Sequence, residues 1–160
     1  MPKDDTNWLL LIGLALLLGG GGYAVYQMTR GLRNNNPGNI RFSSANNWQG
    51  QTGNDGGYAI FSSAVLGIRA LGKTVLSYVN KDGVTPTVTG IISRWAPASE
   101  NDTASYIDDV SSKLGVDPNV ALDVTQLLPQ LLEAIISHEN GLQPYDTATI
   151  NNGANLALNA

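Results

Sequence analysis

The stretch WQGQTGNDGGYAIFSSAVLGIRALGKTVLSYVN, residues 48–80, changes its hydrophobic period midway, and that change decides the fold. Up to Phe61 it reads as two short strand-like runs flanking Asn54-Asp55-Gly56-Gly57, a turn composition that favours a β-hairpin. From Ser63 onward Val65, Ile68, Leu71, Val75, Leu76 and Val79 recur at helical spacing until a stop at residues 80–83. Downstream the period stays helical. Val88, Ile91, Ile92 and Trp95 predict a shorter helix ended by Pro97, with Trp95 in the core. Residues 101–114 predict a third, with Tyr106, Ile107, Val110 and Leu114 inward and Gly115 as its C-terminal cap. A fourth starts near Thr125, carries Pro129 in its first turn and ends at Asn140-Gly141. Upstream of the hairpin, RGLRNNNPGNIRF (30–42) favours turns over regular helix. The tail TATINNGANLALNA (147–160) shows no helical period and reads as an irregular extension. The expected fold is mainly α, an α+β domain with a small β-hairpin wing.

The chain has 160 residues, 42% apolar and 14% charged, with 18 glycines and a net charge of −4. This composition suits one small domain with an appendage and excludes a coiled coil, a collagen-like chain or a disordered acidic tail. With no Cys and a single His, a disulfide framework, a thiolate nucleophile and a multi-histidine metal site are all ruled out, so no metal or cofactor is expected. A pI near 4.7 gives no electrostatic reason to expect nucleic acid as a partner.

The appendage is WLLLIGLALLLGGGGYAVY, 19 uncharged residues at 8–26. At about 1.5 Å per residue a helix of that length covers roughly the 30 Å hydrocarbon core of a bilayer. Trp8, Tyr23 and Tyr26 suit the two interfaces, and Arg30 and Arg33 close the span. The expected order is a short tail (1–7), a transmembrane helix (8–29) making a lipid bilayer a partner, a folded domain (30–145) and an irregular tail (146–160). The acidic leader MPKDDTN argues against a cleaved secretory signal. The glycines at 19–22 weaken a helix, although membrane helices tolerate glycine better than soluble ones. Arg30, Arg33 and Arg41 after the span, against Lys3 before it, put the domain on the cytoplasmic side at insertion.

Three glutamates occur, Glu100, Glu133 and Glu139. Leu128, Leu131, Leu132 and Ile135 form the buried stripe of the fourth helix; Glu139, four residues after Ile135, lies on the same stripe, and Glu133 falls on the opposite face. A carboxyl at the apolar edge of a helix end is partly desolvated, which suits it to proton donation, so Glu139 is the first candidate acid. Glu100 sits beside Asn101 and Asp102, where helix capping is the ordinary role; it ranks second as a catalytic carboxylate because loops before helices also line clefts. His138 favours the negative end of the helix dipole and needs no catalytic role. No G-x-S-x-G elbow, phosphate-binding glycine loop or dinucleotide fingerprint is present, which leaves acyl transfer and nucleotide chemistry without support. Trp48 and Tyr106 are the aromatics best suited to stacking on a sugar.

The blocks Arg30-Gly-Leu-Arg-Asn-Asn-Asn-Pro-Gly-Asn-Ile-Arg41, Trp48-Gln-Gly, Phe61, Gly67-Ile-Arg-Ala, Arg94-Trp-Ala-Pro, Glu100-Asn-Asp-Thr-x-x-Tyr106 and His138-Glu-Asn-Gly-x-Gln-Pro-Tyr145 occur in this order. Over residues 30–145 this pattern resembles bacteriophage virion-associated lysins of the lysozyme-like type. The resemblance implies a lysozyme-like fold and a peptidoglycan-degrading enzyme packaged in a virion, in a viral membrane and beside other virion or capsid proteins, that opens the wall at the start of infection. Ala134-Ile-Ile-Ser-His-Glu-Asn-Gly141 is similar to the helix that ends in the catalytic Glu of lytic transglycosylases. There that helix comes first; here it comes last, which implies circular permutation. The same likeness sets the loop of residues 34–39 across a cleft from Glu139, with Asn35, Asn36 and Asn39 binding N-acetyl groups and Trp48, Asp102, Tyr106 and Tyr145 completing the substrate site. It implies one Glu acting as acid and then base, whereas a hydrolytic muramidase needs a second carboxylate such as Glu100 or Asp102. A wall peptidase and a non-catalytic scaffold of the phage membrane are the alternatives.

Overall fold

A computed structural model describes residues 29–160. The hairpin forms where the turn composition places it: β1 (Gln51–Asp55) pairs antiparallel with β2 (Tyr58–Phe61), and the register runs from Asp55 opposite Tyr58 to Gln51 opposite Phe61, with an irregularity between Gln51 and Gly53. Gly56 and Gly57 make the turn at φ 58° and 92°, a left-handed geometry that costs glycine little. Ahead of it lies a single turn, α1 (Arg30–Arg33), where the sequence favoured no helix. Thr29 makes that turn possible, its Oγ1 accepting from the Leu32 N–H at 3.4 Å.

The helices that follow are α2 (Ala64–Asn80), α3 (Val88–Trp95), α4 (Thr103–Leu114), α5 (Val124–Asn140) and α6 (Thr147–Leu158). Each starts on a side-chain cap: Ser63, Thr87, Asp102, Asp123 and Asp146 accept from the backbone N–H three residues on. Helix α5 is the axis of the fold, packing against α1, α2, α4 and α6. Its Leu128, Leu131, Leu132, Ile135 and Ile136 are fully buried, and burying each such side chain contributes about 1.5–3 kcal/mol. Because α5 begins at Val124, Pro129 lies in the second turn rather than the first, and the carbonyl of exposed Thr125 loses a helical donor.

Two further expectations are corrected. The tail is a capped helix: Ile150, Gly153, Ala154 and Ala157 are buried in α6, which packs on α2. The stripe is helical in spacing, and its residues are small because the two backbones approach closely. A Cβ on Gly153 would lie 2.4 Å from Ile68 Cγ2, and one on Gly72 would lie 2.7 Å from Ala157 Cβ. The second correction concerns the transmembrane helix at 8–29. No helix among the described residues is long and apolar enough to cross a membrane. Residues 8–28 lie outside the described residues, and Thr29, the expected last residue of the span, has non-helical backbone (φ −56°, ψ 159°) and serves as the cap of α1. The described fold is mostly helical with one two-stranded sheet.

Candidate functional site

Glu139 occupies the last turn of α5, where the buried stripe runs out and the side chain becomes half-buried. Three neutral donors converge on its carboxylate. Trp95 Nε1, at the end of α3, donates to Oε1 at 3.0 Å, and Tyr106 Oη, on α4, donates to the same oxygen at 2.9 Å. Asn39 Nδ2, from the loop before the hairpin, donates to Oε2 at 3.2 Å. Oε1 is thus held by two short bonds and Oε2 by one longer bond. No other carboxylate among the described residues hydrogen-bonds to these three donors.

Tyr106 is 4% exposed, and its phenol is pushed far above the ordinary tyrosine range, first by burial and then by the negative charge and hydrogen bond of Glu139. It therefore remains a donor at any working pH. Its ring stacks on His138, with centroids 3.5 Å apart and planes 19° apart. His138 Nδ1 lies 2.8 Å from Asp109 Oδ2, and Lys113 pairs with the same carboxylate. Burial raises the Asp109 pKa, but the hydrogen bonds and charges of Lys113 and His138 outweigh it and leave the group below its ordinary value. A second layer of charge thus braces Tyr106 from behind.

The asparagine loop is built by its own side chains. Asn36 is 1% exposed: its Nδ2 donates to the carbonyls of Ile40 and Ala59, both at 2.9 Å, and its Oδ1 accepts from the Ile40 N–H. Asn35 Nδ2 donates to the Phe61 carbonyl at 3.0 Å, and Asn34 Nδ2 to Asp55 Oδ2 at 3.1 Å. Asn35 and Asn39 adopt left-handed backbone, at φ 50° and 48°, which asparagine tolerates better than most residues. The loop is then fastened to α5 by Asn140, whose Nδ2 donates to the Pro37 carbonyl at 2.9 Å while its Oδ1 accepts from Thr29 Oγ1 at 2.8 Å. Gly67 of α2 completes the fit, since a Cβ there would lie 1.8 Å from the Asn35 carbonyl oxygen.

Of the residues expected from sequence, Glu139, Asn39 and Tyr106 come together, but Tyr106 does so as a buried donor whose ring stacks on His138, and that face is not open to a sugar as the sequence reading expects. Asn36 does not present its amide as the N-acetyl reading requires, because it is buried and both its N–H groups donate to backbone carbonyls that shape the loop; Asn35 is half-buried and gives one donor to the Phe61 carbonyl. Glu100 is exposed and sits 3.6 Å from the Arg41 guanidinium, and Asp102 caps α4 by accepting from the Ser105 N–H; neither bonds to the Glu139 cluster. Tyr145 packs half-buried against the core, and burial raises its phenol pKa. Trp48 lines a hollow of about 360 Å³ with Ile40, Tyr78 and Arg94 among others. Trp95, assigned to the core by its spacing, does pack against the core, half-buried, and in addition sets its polar tip on Glu139. An indole with an apolar body and one N–H donor was the available signal for it. Among the described residues no group of acidic or His side chains could hold a metal ion.

No family model matches the chain. It is 38% identical over 133 residues to Protein P5 of Pseudoalteromonas phage PM2, a match covering 81% of this chain and 82% of that protein. The chain belongs to the family of this phage protein. The bacteriophage part of the expectation is therefore met by the P5 family. The name of the P5 protein states no activity, so any chemistry rests on the residues around Glu139.

Proposed function

We propose that this member of the P5 family is a virion-associated enzyme that cleaves the MurNAc-GlcNAc backbone of peptidoglycan as a lytic transglycosylase. The observation that carries the reading is one carboxylate at a helix end, partly open to solvent and oriented by three neutral donors. Oε1 has both lone pairs engaged by Trp95 and Tyr106, so Oε2 is the oxygen that carries the proton. Glu139 protonates the glycosidic oxygen and the bond from it to the MurNAc C1 breaks. The C6 hydroxyl of the same sugar then attacks C1, and its proton returns to Glu139. No water is consumed, and the product carries a 1,6-anhydro ring. The resemblance of residues 134–141 to the catalytic helix of lytic transglycosylases supports the same assignment. A two-carboxylate hydrolase is less well supported, because Glu100 and Asp102 are engaged elsewhere.

One observation favours a second reading. Every oxygen of Glu139 already has a partner within the protein, as expected of a keystone joining α3, α4, α5 and the asparagine loop in a non-catalytic scaffold. Mass analysis of purified peptidoglycan after incubation with the protein separates the two. Fragments lighter by one water than hydrolysed muropeptides are expected; reducing-end sugars or free stem peptides would replace the mechanism, and intact walls would leave the scaffold.

A further inference from the structure

His138 and Glu139 are consecutive on α5, so their side chains leave the helix about 100° apart and do not face one another. Tyr106 on α4 joins them. Its hydroxyl donates to Glu139 Oε1 at 2.9 Å, while the face of its ring lies on the His138 imidazole with the centroids 3.5 Å apart. The imidazole is itself fixed. Its Nδ1 lies 2.8 Å from Asp109 Oδ2, and because an ionised carboxylate can only accept, Nδ1 carries a proton and donates. Nε2 is left as the nitrogen whose proton decides the charge of the ring, on a side chain that is 30% exposed and so exchanges with solvent. Around this assembly α4 brings Tyr106, Asp109 and Lys113, the last paired with Asp109, while α3 and the asparagine loop bring the neutral Trp95 and Asn39. Other charges nearby in the chain face away into pairs of their own: Arg41 with Glu100, and Arg30 and Arg33 of α1 with Asp55. A positive charge on the electron-rich face of a phenol is attracted to it and draws density from the hydroxyl, which makes the O–H a stronger donor. The place of His138 at the end of α5 is explained by the helix dipole; its stack on a ring that holds Glu139 is not.

We propose that His138 is a positioning residue for Glu139 that acts through Tyr106, so that the charge of one imidazole sets how readily the carboxylate takes up a proton. With His138 charged, the hydroxyl donates more strongly to Oε1 and the carboxylate form of Glu139 is favoured; with His138 neutral, the proton returns to Glu139 more easily. The consequence for catalysis rests on the function proposed above, whereas the coupling itself does not. The chain holds three glutamates and one histidine, so carbon-13 at glutamate Cδ gives three carboxyl resonances, and the imidazole is followed in the same titration. In the full-length protein the Glu139 resonance, identified with Glu139→Gln, is expected to show a second inflection at the pH where His138 titrates, and Glu100 and Glu133 are not. His138→Phe, which keeps a stacked ring, is expected to remove that inflection and to raise the midpoint of Glu139 by roughly half a pH unit or more, about threefold in proton affinity. Tyr106→Phe, which keeps the stack and removes the hydroxyl, is expected to weaken the inflection. A Glu139 resonance indifferent to His138 in the parent protein, an undiminished inflection in folded Tyr106→Phe, or an unshifted midpoint in folded His138→Phe would overturn the proposal. Because titration is read without turnover, a coupled pair in a protein that leaves walls intact would refute the catalytic reading alone. In a protein that cuts them, the alkaline limb of the pH profile is expected to move up in His138→Phe by the same shift, because Glu139 must be protonated to act as the acid.

Discussion

Glu139 depends on three residues that lie 33, 44 and 100 positions away in the chain. Helical spacing alone puts Glu139 at the edge of the buried stripe, and that edge is where it lies. Spacing carries no information about which donors meet it, so neither the Trp95 bond to Glu139 nor the bracing of Tyr106 by His138 and Asp109 is legible in the sequence. Trp95→Phe keeps the apolar body and removes one of the two bonds to Oε1. Wall clearance is expected to fall roughly 10- to 100-fold, the worth of a hydrogen bond to a charged group, in a variant that still folds but melts several degrees lower. Asp109 makes a separate prediction. Its folded pKa lies below the unfolded value near 3.8, so its contribution to stability is present above the unfolded value and is lost as pH falls through the folded one. Asp109→Asn is therefore expected to lower the melting temperature at neutral pH and to narrow its gap to the parent protein in acid. A gap that widens in acid would refute the assignment.

At the scale of elements, the hairpin and α2 to α5 are legible because large apolar residues mark their inward faces and Gly56, Gly57, Gly115 and Gly141 mark turns and ends with left-handed backbone. Helix α6 is hidden by its own packing. Its inward residues are Ile150, Gly153, Ala154 and Ala157, and three small residues of four give hardly any hydrophobic signal although the spacing is helical. Gly153→Ala is expected to destabilise the protein by about 1–3 kcal/mol, because the added methyl meets Ile68 and the Val65 carbonyl, while Asn152→Ala on the exposed face stays within about 0.5 kcal/mol. Chemical denaturation of both variants checks the packing of α6 on α2. Asn36 gives the complementary lesson: the resemblance implies that the asparagines of this loop bind substrate, yet the buried amide of Asn36 builds the loop itself.

In the whole molecule, the site forms where the first described segment meets the end of α5. Asn140 ties the last turn of α5 to Thr29 and Pro37, and Asn39 reaches Glu139 from the same loop. That closure of distant segments was anticipated only through resemblance to a permuted catalytic helix, since a local pattern cannot report a contact of that range. The membrane span expected over residues 8–29 finds no counterpart among the described helices. The P5 relationship supplies a phage setting, and the convergence on Glu139 supplies the chemistry proposed for it. The most direct test is to incubate purified peptidoglycan with the full-length protein and with Glu139→Gln, monitoring released fragments by mass and folding by melting temperature. The parent protein is expected to release 1,6-anhydro muropeptides, and a Glu139→Gln variant that is still folded is expected to release none. Full release by that folded variant would contradict the assignment of Glu139.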